Sequence, residues 1–147
     1  MSRKNAREIA LHLIFEYGFG TFEIGNIQEE CLSEEILELI SGEIALYAGK
    51  LSASQTKYIV SVVTGVAEKL EELDAVIRAH SQGWSFNRLS RITVALLRLA
   101  LYEMQYVEDV PTGVAINEAV ELAKIYDSAE AAAFINGILG AVSRAAE

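Results

Sequence analysis

The chain has one cysteine, Cys31, and one proline, Pro111. A lone cysteine cannot close an intrachain disulfide, so packing has to hold the fold, and a reducing cytoplasm is the natural compartment. A lone proline leaves almost every position open to helix. Long apolar runs are also missing. The longest uncharged stretches, Tyr58 to Ala67 and Ala131 to Ser143, fall short of the roughly 18 residues that a membrane span requires. The amino terminus has neither the apolar core nor the small-residue cleavage site of a secretory signal. Neither phosphate-cradling glycine pattern, G-x-G-x-x-G or G-x-x-x-x-G-K, occurs.

Catalytic and metal-binding patterns are equally scarce. His12 and His80 are far apart and belong to no H-E-x-x-H or E-x-x-H pair, which argues against a zinc or di-iron site. Cys31 has no cation within helical reach and reads as a structural thiol rather than a nucleophile. Glu118 and Glu121 share a helical face at i, i+3, a spacing that suits solvent or a partner better than acid–base work. No enzyme, cofactor or metal is expected.

Basic residues are absent from one long segment. Residues 8–49 hold nine glutamates and no Lys or Arg. The short stretch before them, "SRKNAR", carries Arg3, Lys4 and Arg7, although the whole chain has a net charge of −9. Residues 50–102 return to +3, and residues 103–147 fall to −6. Such alternation suits a protein that holds an anion at one place and a basic partner at another. Cations at a helix amino end oppose the backbone dipole, so the basic cluster serves something other than folding.

What remains is helix-forming. At 147 residues and 52% hydrophobic, the chain suffices for one domain, residues 1–147, with a real core. Asn5-Ala6-Arg7-Glu8 has the form of a capping box, with Ile9, Ala10, Leu13, Ile14 and Tyr17 inward and Gly18 and Gly20 as the stop. On this reading Arg3 and Lys4 form a short arm ahead of the helix. Asn26 and Ser33 read as caps for helices over 27–32 and 34–48. Ser52 or Ser54 opens an element with the stripe Tyr58, Ile59, Val62, Val63, Val66 and Leu70, and Asp74 reads as the cap of a further short helix. Trp84 reads as a core anchor in a connector. Ser90 caps "RITVALLRLALYEMQ", apolar on most sides and therefore central. Thr112 caps 113–126, and Asp127-Ser128 starts the last helix. No β-alternation or 20–50-residue repeat occurs. The expected fold is all-α, a single compact bundle of about seven helices.

Three blocks then stand out: "LLRLALYE" (96–103), "VPTGVAINEAVELAK" (110–124) and "FINGILG" (134–140). With their spacing, and with "AREIALHLIFEYG" (6–18), "TGV" (64–66) and "W…RL" (84–89), they resemble the NusB family of bacterial transcription antitermination factors over nearly the whole chain. The resemblance implies a NusB-like helical fold without catalysis. It also implies pairing with the ribosomal protein NusE, binding of single-stranded boxA RNA, and action with RNA polymerase in the elongation complex, notably on ribosomal RNA operons. By the same resemblance, Arg3, Lys4 and Arg7 match the family's basic RNA-contacting motif, Tyr17 matches an aromatic position of that helix, and Glu130 and Phe134 match positions near RNA. His80, Arg88 and Arg91 lie in the part that resembles the NusE-facing region.

Several residues of the matching blocks have a structural reading. Asn117 and Asn136 are expected to be buried and bonded to backbone, and Gly137 to let helices approach closely. Arg98, inside the most apolar helix, requires an acidic partner that the sequence does not name. The chain also departs from the family. Its basic arm is short, Thr93 stands where an acid is common, Ala132 and Ala133 stand where polar residues are frequent, and Gly140 replaces a common Asp. RNA affinity is therefore expected to be lower, or to rest more on the partner. Two other readings remain: a NusB-like domain of a ribosomal RNA cytosine methyltransferase, and a protein-only adaptor.

Overall fold

A computed structural model describes residues 3–33 (Arg3 through its backbone), 51–81 and 89–146. The described residues contain helices and no strand. The chain divides into two compact units, Met1–Ala67 and Glu68–Glu147. The expected helix over 34–48, Trp84 and Arg88 lie outside the described residues.

In the first unit, α1 runs Arg3–Tyr17. It starts two residues ahead of the expected cap: Asn5 lies inside the helix, and Arg3 and Lys4 form its first turn rather than a free arm. Both are good helix formers, and this propensity carries the helix through them. Ala6, Ile9, Ala10, Leu13 and Ile14 are buried, together with Leu11, which lies outside the expected stripe. The helix closes through Gly20 N–H to Tyr17 O at 3.0 Å, with Gly20 at φ 70°. That left-handed conformation favours glycine. A single 3-10 turn, Ile24–Asn26, leads into α2, Ile27–Cys31. Asn26 sits at the amino end of α2, but its side chain donates to Glu30 Oε1 at 3.4 Å instead of capping.

Helix α3, Ala53–Glu68, opens on a reciprocal capping box. Gln55 N–H donates to Ser52 Oγ at 3.1 Å, and Ser52 N–H donates to Gln55 Oε1 at 2.8 Å, so two end donors of the helix are satisfied. Tyr58, Ile59, Val62, Val63 and Val66 are all buried, as the stripe predicts.

The second unit is built from α4 (Leu70–His80), α5 (Arg91–Tyr106), α6 (Thr112–Tyr126) and α7 (Ala129–Ala145). Leu70 starts α4 instead of ending the preceding stripe, because the backbone breaks at Lys69. Asp74 is therefore mid-helix and caps nothing. Helix α5 is central, packing on α4, α6 and α7, and α7 also packs on α4 and α6. Val94, Ala95, Leu96, Leu97, Leu99, Ala100 and Leu101 are buried on several sides of α5, and each large side chain among them contributes on the order of 1.5–3 kcal/mol.

Caps fix where these helices begin. Ser90 Oγ accepts from Thr93 N–H at 3.1 Å, and Ser128 Oγ accepts from Ala131 N–H at 3.0 Å. Pro111, rather than Thr112, is the residue before α6, and its carbonyl accepts from Val114 and Ala115. The acidic partner of Arg98 is Asp74, one turn into α4: Arg98 Nε and Nη2 donate to its two carboxylate oxygens, each at 2.8 Å.

Three expectations fail here. Asn117 and Asn136 are exposed rather than buried, and a methyl group added at Gly137 would meet no neighbouring atom within 4 Å, so among the described residues no helix approaches closely there. Ile135 and Ile138, beside Asn136 and Gly137, belong to the buried stripe and Ile116 is half-buried, while Asn117, Asn136 and Gly137 face outward.

Candidate RNA and partner interface

The basic amino end belongs to the first unit. Lys4 is exposed in the first turn of α1, and Arg3 precedes it. No acid lies in that turn, so the dipole and the exposed Lys4 ammonium add to one positive tip suited to a phosphate. Arg7, one turn on, is only 5% exposed, placed with Ala6 and Ala10 in the buried set of the helix. The helix period brings it inward. Tyr17 is half-buried at the far end of α1, fourteen residues from Arg3, with its ring 5.8 Å from that of buried Phe22. A tip cation and Tyr17 therefore mark opposite ends of a 15-residue helix, not one cluster.

Between them lies His12, which burial pulls below its ordinary pKa against the opposing pull of Glu8 and Glu16. Cys31 is half-buried, and burial, followed by Glu30 and Glu16, pushes its thiol up, as befits an unreactive side chain.

Glu130 and Phe134 belong to the second unit and share one pocket. It holds about 180 Å³ where α5 and α7 begin, and its walls include Leu89, Ser90, Thr93, Asp127, Glu130 and Phe134. Glu130 is exposed and Phe134 half-buried, one helical turn apart on α7. The pocket is organised by a residue that sequence reasoning treated only as a helix starter. Asp127 Oδ2 accepts from Ser90 Oγ and from Thr93 Oγ1, each at 2.8 Å. These bonds tie the residue between α6 and α7 to the cap and first turn of α5. Asp127 stands 34 and 37 positions from its two donors, and no local pattern announces the pairing. The one signal available was Thr93, at a position where the resemblance leads us to expect an acid. The structure sets a carboxylate, that of Asp127, directly against it.

Of the expected partner-facing residues, Arg91 is exposed at the start of α5, and His80 has Nδ1 3.0 Å from Val76 O. Arg88 lies outside the described residues. A second, larger concavity of about 490 Å³ runs between α6 and α7, with Asn117 and Asn136 on its walls and Ala132, Ala133, Ile116 and Val120 between them. Ala132 is buried there and Ala133 exposed. Among the described residues no group of three or more His, Cys, Asp or Glu could hold a metal ion, and no helix is long and apolar enough to cross a membrane.

Comparison with known proteins gives a consistent result. A NusB family model matches residues 4–144. The transcription antitermination protein NusB of Acetivibrio thermocellus is 42% identical over 142 residues, covering 97% of this chain and 88% of its own. Among solved structures, NusB of T. maritima has a TM-score of 0.80 at 28% identity, with 98% of this chain and 92% of the other covered. A chain of the crystal structure of antitermination factors NusB and NusE in complex with dsRNA has a TM-score of 0.76 at 24% identity, covering 97% and 96%. At that identity the likeness speaks to the fold.

Proposed function

The chain belongs to the NusB family, and from that premise we propose that it pairs with the ribosomal protein NusE and binds boxA RNA in nascent transcripts, notably those of ribosomal RNA operons. The observation that carries this reading is the family match across nearly the whole chain, with relatives that are transcription antitermination proteins. The same fold in a complex of NusB, NusE and RNA supports it.

The electrostatics explain why a partner is needed. Three phosphate contacts from Arg3, Lys4 and Arg7 would give a salt slope of about −2, at roughly 0.7 per contact to single strands. With Arg7 buried, the two cations of the first turn give only about −1.4. One base stacked on Tyr17 or Phe134 adds on the order of 1–3 kcal/mol. Against this stands a net charge of −9, which repels RNA at distance and attracts a basic ribosomal protein. The protein is therefore a weak RNA binder by itself, and NusE supplies the rest. His80, Arg88 and Arg91 are assigned to the NusE side of that complex.

The test is a mobility-shift titration of boxA RNA with the protein alone, NusE alone and the two together. Tight binding is expected only for the pair, and Arg3→Ala with Lys4→Ala should weaken it and flatten its salt dependence. Arg7 is changed separately, to Lys and to Ala, because its burial makes the alanine variant report on α1 as well as on RNA. Firm RNA binding by the isolated chain at high salt, or indifference to NusE, would refute the proposal. A complex with NusE to which RNA adds nothing would identify a protein-only adaptor.

A further inference from the structure

We propose that the concavity between α6 and α7 is a docking groove for the free carboxyl end of a partner polypeptide, held extended, with Asn117 and Asn136 clamping its backbone and Lys124 taking its carboxylate. The inference stands apart from the RNA-binding reading above and needs neither the basic tip nor the pocket where α5 and α7 begin.

The blocks "AINEA" and "FING" place one asparagine in the interior of each helix, where that residue is a weak helix former. Burial would account for them, yet both are exposed. Neither side chain takes a hydrogen bond from the described residues. Each therefore costs helix stability and returns nothing to the fold, and both line the same concavity of about 490 Å³.

The helical hairpin sets their geometry. Helices α6 and α7 pack on each other across a two-residue connection, Asp127 and Ser128, so they run antiparallel. At about 1.5 Å per residue, Asn117 stands about 15 Å along α6 from Asp127 and Asn136 about 12 Å along α7 from Ser128. The two carboxamides thus flank the groove at nearly one level. Each has an oxygen that accepts and an amino group that donates, the complement of the N–H and C=O of a peptide group. The floor between them is apolar, made by Ile116, Val120 and the buried Ala132. Small residues keep the groove open: Ala129 and Ala133 are exposed, and a methyl group added at Gly113 would meet no neighbouring atom within 4 Å. An extended segment laid there bonds through its main chain and rests an apolar side chain on the floor.

Charge selects the end of the chain. No acid lines the groove, and its one charged side chain is Lys124, within a segment, residues 103–147, whose net charge is −6. The ion pair of Lys124 with Glu121, 3.3 Å between exposed side chains, leaves two N–H donors of the ammonium unspent. Lys124 lies two turns from Asn117, about 10 Å along α6. Three extended residues span about 10 Å. A chain whose carboxylate meets Lys124 therefore brings a peptide group, about three residues upstream, to the two asparagines. Nucleic acid suits the groove poorly. No aromatic ring lines it, one cation cannot follow successive phosphates, and the surrounding negative charge repels a polyanion. A single terminal carboxylate asks for one cation.

The experiment is a binding selection on the full chain with random peptides displayed with free carboxyl ends. Peptides should be enriched on this chain and not on Ala133→Glu, which sets an acid at an exposed position of the wall. Synthetic copies titrated by fluorescence anisotropy should bind roughly fivefold more weakly when the carboxylate is amidated, and likewise to Lys124→Met. Asn117→Ala and Asn136→Ala should each weaken binding roughly tenfold. Both alanine variants should melt at the same temperature as the parent or higher, because alanine is the better helix former, so their loss of binding is not a loss of fold. Ala133→Glu should leave the boxA RNA and NusE titrations unchanged. No enrichment over Ala133→Glu overturns the inference, as do peptides that bind equally well when amidated and alanine variants that bind like the parent. Self-association in sedimentation equilibrium that Ala133→Glu abolishes would give the groove to a second copy, and weakened NusE or RNA binding by Ala133→Glu would give it to the complex proposed above; either overturns the inference. If the unmodified pair binds no boxA RNA while the peptide results hold, the proposed function fails and this inference stands.

Discussion

Asp74→Ala is the substitution whose cost the structure sets most clearly. The carboxylate meets the Arg98 guanidinium through two bonds of 2.8 Å, with side chains only 12% and 18% exposed. Removing one member of a buried pair costs about 3–5 kcal/mol, since the other is left desolvated and alone. The residual exposure lets water reach Arg98 in the variant, so the lower end applies, about 3 kcal/mol. Arg98→Met keeps the aliphatic stem packed in α5 and strands Asp74, at about 2 kcal/mol. The double variant Asp74→Ala with Arg98→Met strands nothing and should cost less than the two singles added together. A coupling near 2 kcal/mol is expected. The assay is urea unfolding followed by far-ultraviolet circular dichroism for the four proteins of the cycle, supported by thermal melts in which Asp74→Ala falls by about 6–12 °C. A coupling below about 0.5 kcal/mol is the value of an exposed pair, and would refute the assignment of this bridge as the tie between α4 and α5.

Two further predictions concern the first unit. Burial lowers the His12 pKa in the folded chain, outweighing Glu8 and Glu16, so below its ordinary value of 6.5 the unfolded chain takes up more protons. Stability should therefore be fully present above that value and decline as pH falls through it toward the lowered folded pKa, and His12→Gln should flatten the decline in urea unfolding measured across this range. Cys31 has its thiol pushed up by burial and by Glu30 and Glu16, so alkylation by iodoacetamide near neutrality should run slower than for free cysteine and speed up on unfolding; a native rate above that of free cysteine would contradict the geometry.

Much of the fold follows from one periodicity read correctly. Tyr58, Ile59, Val62, Val63 and Val66 are buried because residues three and four apart share a helical face, and sequence shows this directly. The α5 core is legible for the same reason, since a segment apolar on most sides has to be surrounded. Boundaries were less legible. Asn5 has the chemistry of a cap and Asp74 does too, yet each lies within a helix: capping residues compete with helix propensity, and Arg3 and Lys4 at one site and Leu70 to Leu73 at the other extend the helix past them. The partner of Arg98 was unreadable from sequence because 24 residues separate the two charges.

The site shows the same division with a functional consequence. Lys4 is exposed on a positive helix end as a phosphate contact requires, but the basic motif read as three equivalent cations is not three equivalent groups, because the 3.6-residue turn that exposes Lys4 carries Arg7 inward to 5% exposure. Glu130 and Phe134 were named from resemblance alone, and the fold gives them a shared cavity. Thr93, by contrast, looked like the loss of an acid. In space Asp127 sets a carboxylate at 2.8 Å from the Thr93 hydroxyl, so the local charge returns from another element, one that a comparison made position by position does not register. A variant that restores an acid at position 93 would then place two carboxylates side by side, and like charges at that distance oppose each other in proportion to how little water separates them. Thr93→Glu is thus a substitution that this chain's own geometry resists, because the hydroxyl at 93 and the carboxylate of Asp127 form one feature.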